Sequence, residues 1–217
     1  MADRRRFLKT AALGVTAAAL ASRIAPAAAG ANTGGVSGGR KPRVISTWDF
    51  GVPANLAAWA VLAKGGRALD AVEAGVMIPE ADLKNHSVGR AGYPDRDGHV
   101  SLDASIMDGD GSCGAVAALE GIAHPIQVAR RVMERTPHVL LVGEGARMFA
   151  LAEGLESVPL DSRERYEAWQ KRIPISAKPG GVGKQTHDTI ALLVLGADRT
   201  IAGGCSTSGL GGKLPGR

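Results

Sequence analysis

One stretch of this 217-residue chain concentrates residue types that do chemistry, GGVGKQTHDTIALLVLG at 180–196. It reads either as a phosphate cradle or as a peptide bond that the protein cuts for itself. A phosphate loop requires G-x-x-x-x-G-K-[ST], in which the first glycine lets the backbone wrap the phosphate and a hydroxyl after the lysine binds magnesium. Counting back from Gly183-Lys184, the first position is Lys178 and the hydroxyl position is Gln185. Both are the wrong residue, and SAKPG rather than a strand leads in, so phosphate binding is excluded.

His187-Asp188-Thr189 supports the second reading. A threonine hydroxyl is a weak nucleophile unless a base stands beside it, and the residue's own α-amine is such a base if the chain begins there. That amine has a reference pKa of roughly 7.7–8.0, so near neutral pH part of it is unprotonated and can accept the hydroxyl proton; a lysine stays mostly charged. Making the amine requires breaking the Asp188–Thr189 bond, which the Thr189 hydroxyl can do by attacking the Asp188 carbonyl and passing through an ester. β-Branching restricts χ1 and keeps the oxygen aimed. Taken alone, HDT is a polar cluster at the start of a strand, and only its surroundings give it more meaning.

The elements that must hold Thr189 follow directly. TIALLVL (189–195) and TIAGGCST (200–207) are strand candidates joined by the turn-forming GADR. A three-residue turn centred on Asp198 sets Thr189 opposite Thr207, whereas a two-residue turn sets Ser206 there. The choice matters, because a one-residue slip reverses every face. Upstream, RVISTW (43–48) reads as a buried strand, and Leu69, Val72 and Val76 recur at the spacing of one helical face. HVSLDASIM (99–107) alternates like a strand, with GAVAALEG (114–121) as its antiparallel partner. Pro125 opens a helix bearing Ile126, Ala129 and Met133 on one side; HVLLVG (138–143) is a short strand and GARMFALAEG a short helix. Residues 153–187 turn charged and polar and read as a partly helical, exposed connector. Paired strands with helices between the pairs argue for layered α+β architecture with antiparallel sheets.

Composition narrows the function classes. The chain is 45% hydrophobic and 22% charged, an ordinary globular balance for about one domain. Residues 1–29 read as a twin-arginine leader (Arg4, Arg5, Phe7, Leu8 and Lys9, an apolar run, then Ala27-Ala28-Ala29), and residues 30–42 as a flexible spacer. The expectation is a bacterial protein, periplasmic or secreted by that route. Removing the leader's five basic residues and one acid from a formal charge of +5 leaves +1. The remainder carries no nucleic-acid footprint, and no membrane association is expected after export. Cys113 and Cys205 lack metal spacing and read as buried thiols. A calcium loop at Asp108-Gly109-Asp110 fails, because Cys113 and Leu119 occupy the positions of the turn glycine and the bidentate acid. No metal or cofactor is implied.

From about Val44 to the last residue, STWDFG, AWAVLAKGGRALDAVEAGV, SVG, DASIMDG, PHVLLVGEGARMFA, HDTI and STSG…GR stand in the order and spacing of one family. The chain resembles the glycosylasparaginases of the N-terminal-nucleophile hydrolases. HDTI separates it from the related isoaspartyl peptidases and asparaginases, which carry glycine before the threonine. Those enzymes remain the alternative within the superfamily, and an inactive remnant is the alternative outside enzymes.

The resemblance implies an α+β fold, an αββα sandwich with Thr189 at a strand end in its centre. It implies Thr189 as nucleophile and N-terminal base, Asp188 as the residue assisting self-cleavage, and Thr207 as a hydroxyl near the nucleophile. Arg217 would clamp the substrate's α-carboxylate, Trp48 would wall the pocket with Ser87 nearby, and Phe50 is a further candidate. The α part would run over 43–188 and the β part from 189, with α/β heterodimers pairing into a dimer of heterodimers. The substrate would be a small molecule, a glycosylated asparagine or a β-aspartyl amide. Two departures stand out: Arg90 and Ala91 replace an expected tyrosine and glycine, and the family continues past Arg217 with VGD and later a Thr-Gly pair. The expectation is therefore a chain truncated at its C-terminus, lacking strands, amine clamp and oxyanion donors.

Overall fold

Alternation of apolar residues explains the central layer. In the computed structural model, which describes residues 41–158, 167 and 189–217, one six-stranded sheet runs in the order β1-β5-β6-β2-β3-β4. Its strands are β1 (Arg43–Ser46), β2 (Leu102–Met107), β3 (Cys113–Leu119), β4 (Leu140–Val142), β5 (Ile190–Leu195) and β6 (Ile201–Thr207). Ile190, Leu192 and Val194 of β5 and Leu102, Ala104 and Ile106 of β2 all point to one buried face. Each large side chain removed from water there contributes about 1.5–3 kcal/mol.

Among the described residues, four helices cover that face: α1 (Gly51–Leu62), α2 (Ala68–Ala81), α3 (Pro125–Arg135) and α4 (Gly143–Ala152). Leu69, Val72 and Val76 form the buried stripe of α2, as their spacing predicts, and Ile126 and Ala129 that of α3. Gly75 lets α2 approach closely; a Cβ there would meet Leu192 Cδ1 at 2.7 Å and the Ala54 carbonyl at 2.9 Å. Arg130 ties α3 to α2, bonding Asp70 at 2.6 Å and Glu73 at 2.5 Å besides Glu134 on its own helix.

The fold is α+β as expected, with three corrections. β4 pairs parallel with β3, so the sheet is mixed rather than antiparallel. α3 makes the crossover that brings β4 back alongside β3, and α4 follows β4 directly, as the short strand and short helix expected there. β1 is a half-exposed strand paired on one side with β5, not a buried one, because Arg43 and Ile45 project from the face the helices do not cover. Leu193, Met107, Leu140 and Val142 also project there. Cys113 and Cys205 are free thiols but only half-buried on this face, Cys205 Sγ lying 3.1 Å from Ser105 Oγ.

Candidate active site

Thr189 directly precedes β5, between β1 and β6 in the sheet. The β5–β6 ladder pairs Leu195 with Ile201 and Ile190 with Ser206. Extended by one residue, this register sets Thr189 opposite Thr207 and rules out Ser206 as its partner. The turn explains the register. Gly196 N–H donates to the Thr200 carbonyl at 2.8 Å, Arg199 takes a left-handed φ of 71°, and Asp198 Oδ1 accepts from Thr200 N–H at 3.0 Å. This is the three-residue hairpin loop whose last residue must be left-handed.

The segment after β1 clamps the other side. The Thr189 carbonyl accepts bonds from Thr47 Oγ1 at 2.8 Å and from Trp48 Nε1 at 3.1 Å. Thr47 Oγ1 also accepts from Ala191 N–H at 3.0 Å, and Thr47 N–H donates to the Ala191 carbonyl at 3.0 Å. Trp48 holds φ at 63°, in the left-handed region, at a cost of roughly 1–2 kcal/mol for such a side chain. Strain of this kind collects at functional sites, and here it returns the indole to the Thr189 carbonyl.

Ser87 reaches the site through its backbone. Its carbonyl accepts from Ser208 N–H at 2.8 Å and Ser208 Oγ at 3.0 Å and lies 3.5 Å from Thr207 Oγ1, which itself accepts from Gly209 N–H at 2.9 Å. The SVG bend fits because Gly89, at φ 68°, is left-handed and a Cβ there would overlap the backbone of Glu80. Ala91 is buried, and its carbonyl accepts from His86 Nδ1 at 3.0 Å.

Thr189, Thr207, Trp48 and Ser87 are thus brought together by contact or register. Phe50 is not; it caps α1 and packs half-buried against the core. Arg217 is exposed, and among the described residues no bond ties its guanidinium to the threonines. Asp188 lies outside the described residues.

Three residues that sequence reasoning passed over hold the site. Thr47 is one, lying unremarked inside STWDFG. Glu80, fully buried, accepts from Ser206 Oγ at 2.7 Å and Ile126 N–H at 3.0 Å, with His124 Nδ1 at 3.2 Å. Burial pushes its carboxyl above the usual range, partly offset by those bonds. Its signal was an acid continuing the apolar stripe, four residues after Val76. Lys213, nearly buried, donates to the Ser208 carbonyl at 2.7 Å and the Ser101 carbonyl at 2.9 Å, and burial holds its amine below the usual lysine range despite Asp103 and Asp95. No spacing marks it. Two clefts elsewhere, one beside Glu120 and Arg147 and one beside Arg67 and Asp108, do not include Thr189.

Comparison with known proteins agrees with this geometry. The N(4)-(β-N-acetylglucosaminyl)-L-asparaginase of Elizabethkingia miricola is 46% identical over 215 residues, covering 99% of this chain and 63% of that protein. Those of Mus musculus and Rattus norvegicus are each 39% identical, covering 81% of this chain and 60% of theirs. The chain spans about three fifths of the length of these curated relatives. A model of the asparaginase family matches residues 52–217, from the first helix through the whole hairpin. A match over that much of the sequence, with the hairpin and its clamp in place, settles the kinship: the chain belongs to the asparaginase family.

Proposed function

We propose that the protein is an amidohydrolase of the asparagine side chain that first cuts its own Asp188–Thr189 bond. The observation that carries this reading is the placement of Thr189, mid-sheet at the head of β5, with its carbonyl held by Thr47 and Trp48 and a second hydroxyl in register across the hairpin. Thr189 Oγ1 attacks the Asp188 carbonyl carbon, the peptide nitrogen leaves as the Thr189 amine, and water cleaves the resulting ester to give a carboxylate on Asp188. The freed amine then takes the Thr189 hydroxyl proton as that oxygen attacks a substrate side-chain amide. The leaving amine departs with a proton, and water releases aspartate from the second ester.

N4-(β-N-acetylglucosaminyl)-L-asparagine is the substrate this reading favours, because the similar proteins of bacterium and rodent are named for it. Thr207 would polarise the nucleophile, Trp48 wall the pocket beside Ser87, and Arg217 grip the α-carboxylate with two parallel bonds. The uncovered sheet face, apolar at Ile45, Leu193 and Met107, supports a second sheet above it and so the αββα sandwich. Pairing of α/β heterodimers and twin-arginine export belong to the same proposal.

Intact-mass measurement tests the reading. Two fragments dividing between Asp188 and Thr189 are expected, with Thr189→Ala remaining one chain. A wild-type chain that hydrolyses the glycosylated asparagine while uncut would sink it, and a preference for β-aspartyl peptides or free asparagine would move the substrate and leave the chemistry standing.

A further inference from the structure

Glu80 is expensive where it stands. A carboxyl fully removed from water costs several kcal/mol unless its oxygens are satisfied, and the neighbouring stripe positions on α2 carry Val72 and Val76. A leucine would fill the position without that cost. What an acid supplies is acceptors, and Glu80 spends them on three partners in two elements, the end of β6 and the start of α3. Oε1 takes Ser206 Oγ–H of β6 at 2.7 Å and the Ile126 N–H at the start of α3 at 3.0 Å, while Oε2 faces His124 Nδ1 at 3.2 Å. The Ile126 bond satisfies a donor that the first turn of a helix leaves orphaned. The Ser206 bond points at the site, because Ser206 is the cross-strand partner of Ile190 and stands between the buried face and Thr207.

The backbone alternation strengthens this link. Ala191 exchanges bonds with Thr47 on the β1 side, so the N–H and carbonyl of Ile190 aim at β6 and at Ser206. Any movement of Ser206 therefore shifts the residue that follows Thr189. We infer that Glu80 is a positioning residue for the nucleophile: through Ser206 it fixes where the end of β6 stands against the start of β5, and hence the separation of Thr189 from Thr207. The inference rests on Thr189 as the nucleophile. A misplacement of about 1 Å can cost on the order of a hundredfold in rate, so the link is felt in chemistry before it is felt in folding.

Ser206→Ala is the gentle probe, since it removes only the link. It is expected to slow scission at 188–189, followed by intact mass, about tenfold or more, and to raise amide exchange at Ile190 and Ser206 but not at Val194 and Ala202, the bonded pair at the turn end, with only a small change in melting temperature. Glu80→Gln keeps an acceptor for Ser206 and Ile126 and offers an N–H to His124, so it is expected to hold scission within about threefold of wild type. Scission at the wild-type rate in Ser206→Ala, or exchange raised equally at both ends of the hairpin, overturns the inference. If the wild-type chain shows no scission, it is the reading of Thr189 that fails; amide exchange, measured in the uncleavable Thr189→Ala protein as well, still decides for or against Glu80.

Discussion

Thr47→Val isolates the clamp on Thr189. Valine keeps the shape and β-branching of threonine but removes one oxygen that serves two bonds, donating to the Thr189 carbonyl and accepting from the Ala191 N–H. The Thr189 carbonyl keeps the Trp48 indole; the Ala191 N–H keeps only water. A protein hydrogen bond has a net worth of about 0.5–1.5 kcal/mol. Thr47 is exposed, so water reaches the freed amide and the lower half applies, giving about 1–2 kcal/mol for the pair. For a chain of this size that lowers the melting temperature by about 3–6 °C. Thermal denaturation followed by circular dichroism, in a Thr189→Ala background so that scission does not intervene, measures it. Amide exchange at Ala191 should accelerate in parallel, and Thr47→Ser should restore both. Melting within about 1 °C of the parent with Ala191 still protected would refute the clamp.

Arg130→Ala leaves Asp70, Glu73 and Glu134 facing one another, and urea unfolding should register a loss of about 1–3 kcal/mol that shrinks as salt is added. Gly75→Ala gains about 1 kcal/mol of helix propensity but drives a methyl into Leu192 and the Ala54 carbonyl, so melting should fall, the overpacking cost being about 1–3 kcal/mol. Burial raises the folded-state pKa of Glu80, so the folded protein holds a proton that the unfolded chain releases near 4.5. Stability from that group is complete below 4.5 and is lost as pH climbs through the raised value. Relative to Glu80→Gln, wild type should therefore weaken as pH rises through that window, and denaturant midpoints that keep a constant difference across it would contradict the buried ionisation.

Legibility followed periodicity. The hairpin was readable because GADR joins two β-branched runs, but its register stayed open between two turn lengths until the left-handed Arg199 selected the three-residue loop. α2 and α3 were readable because Leu69, Val72, Val76 and Ile126 repeat with the helical period. α1 was not, since Val52, Leu56 and Trp59 put apolar residues on its exposed side as well, and no stripe distinguishes the buried one. The direction of β4 was hidden for a different reason: a three-residue strand carries no mark of parallel or antiparallel pairing. At the site, chemistry and spacing made Thr189 a candidate with Thr207 or Ser206 across from it, and the family resemblance pointed to Thr189 and Thr207. Glu80 and Lys213 act through tertiary bonds to Ser206 and Ser208 that no local pattern announces.

The sheet face left bare by the helices bears more than surplus hydrophobicity. Ser206 is turned inward, so Thr207, one residue on, emerges on the same face as Ile45, Leu193 and Met107, four residues along the strand from the row they form around Gly203. Whatever layer comes to rest there roofs the hydroxyls of Thr189 and Thr207 in the same motion that hides those side chains from water. Completing the architecture and arming the chemistry would then be a single event, and a protein caught before it would be both sticky and silent.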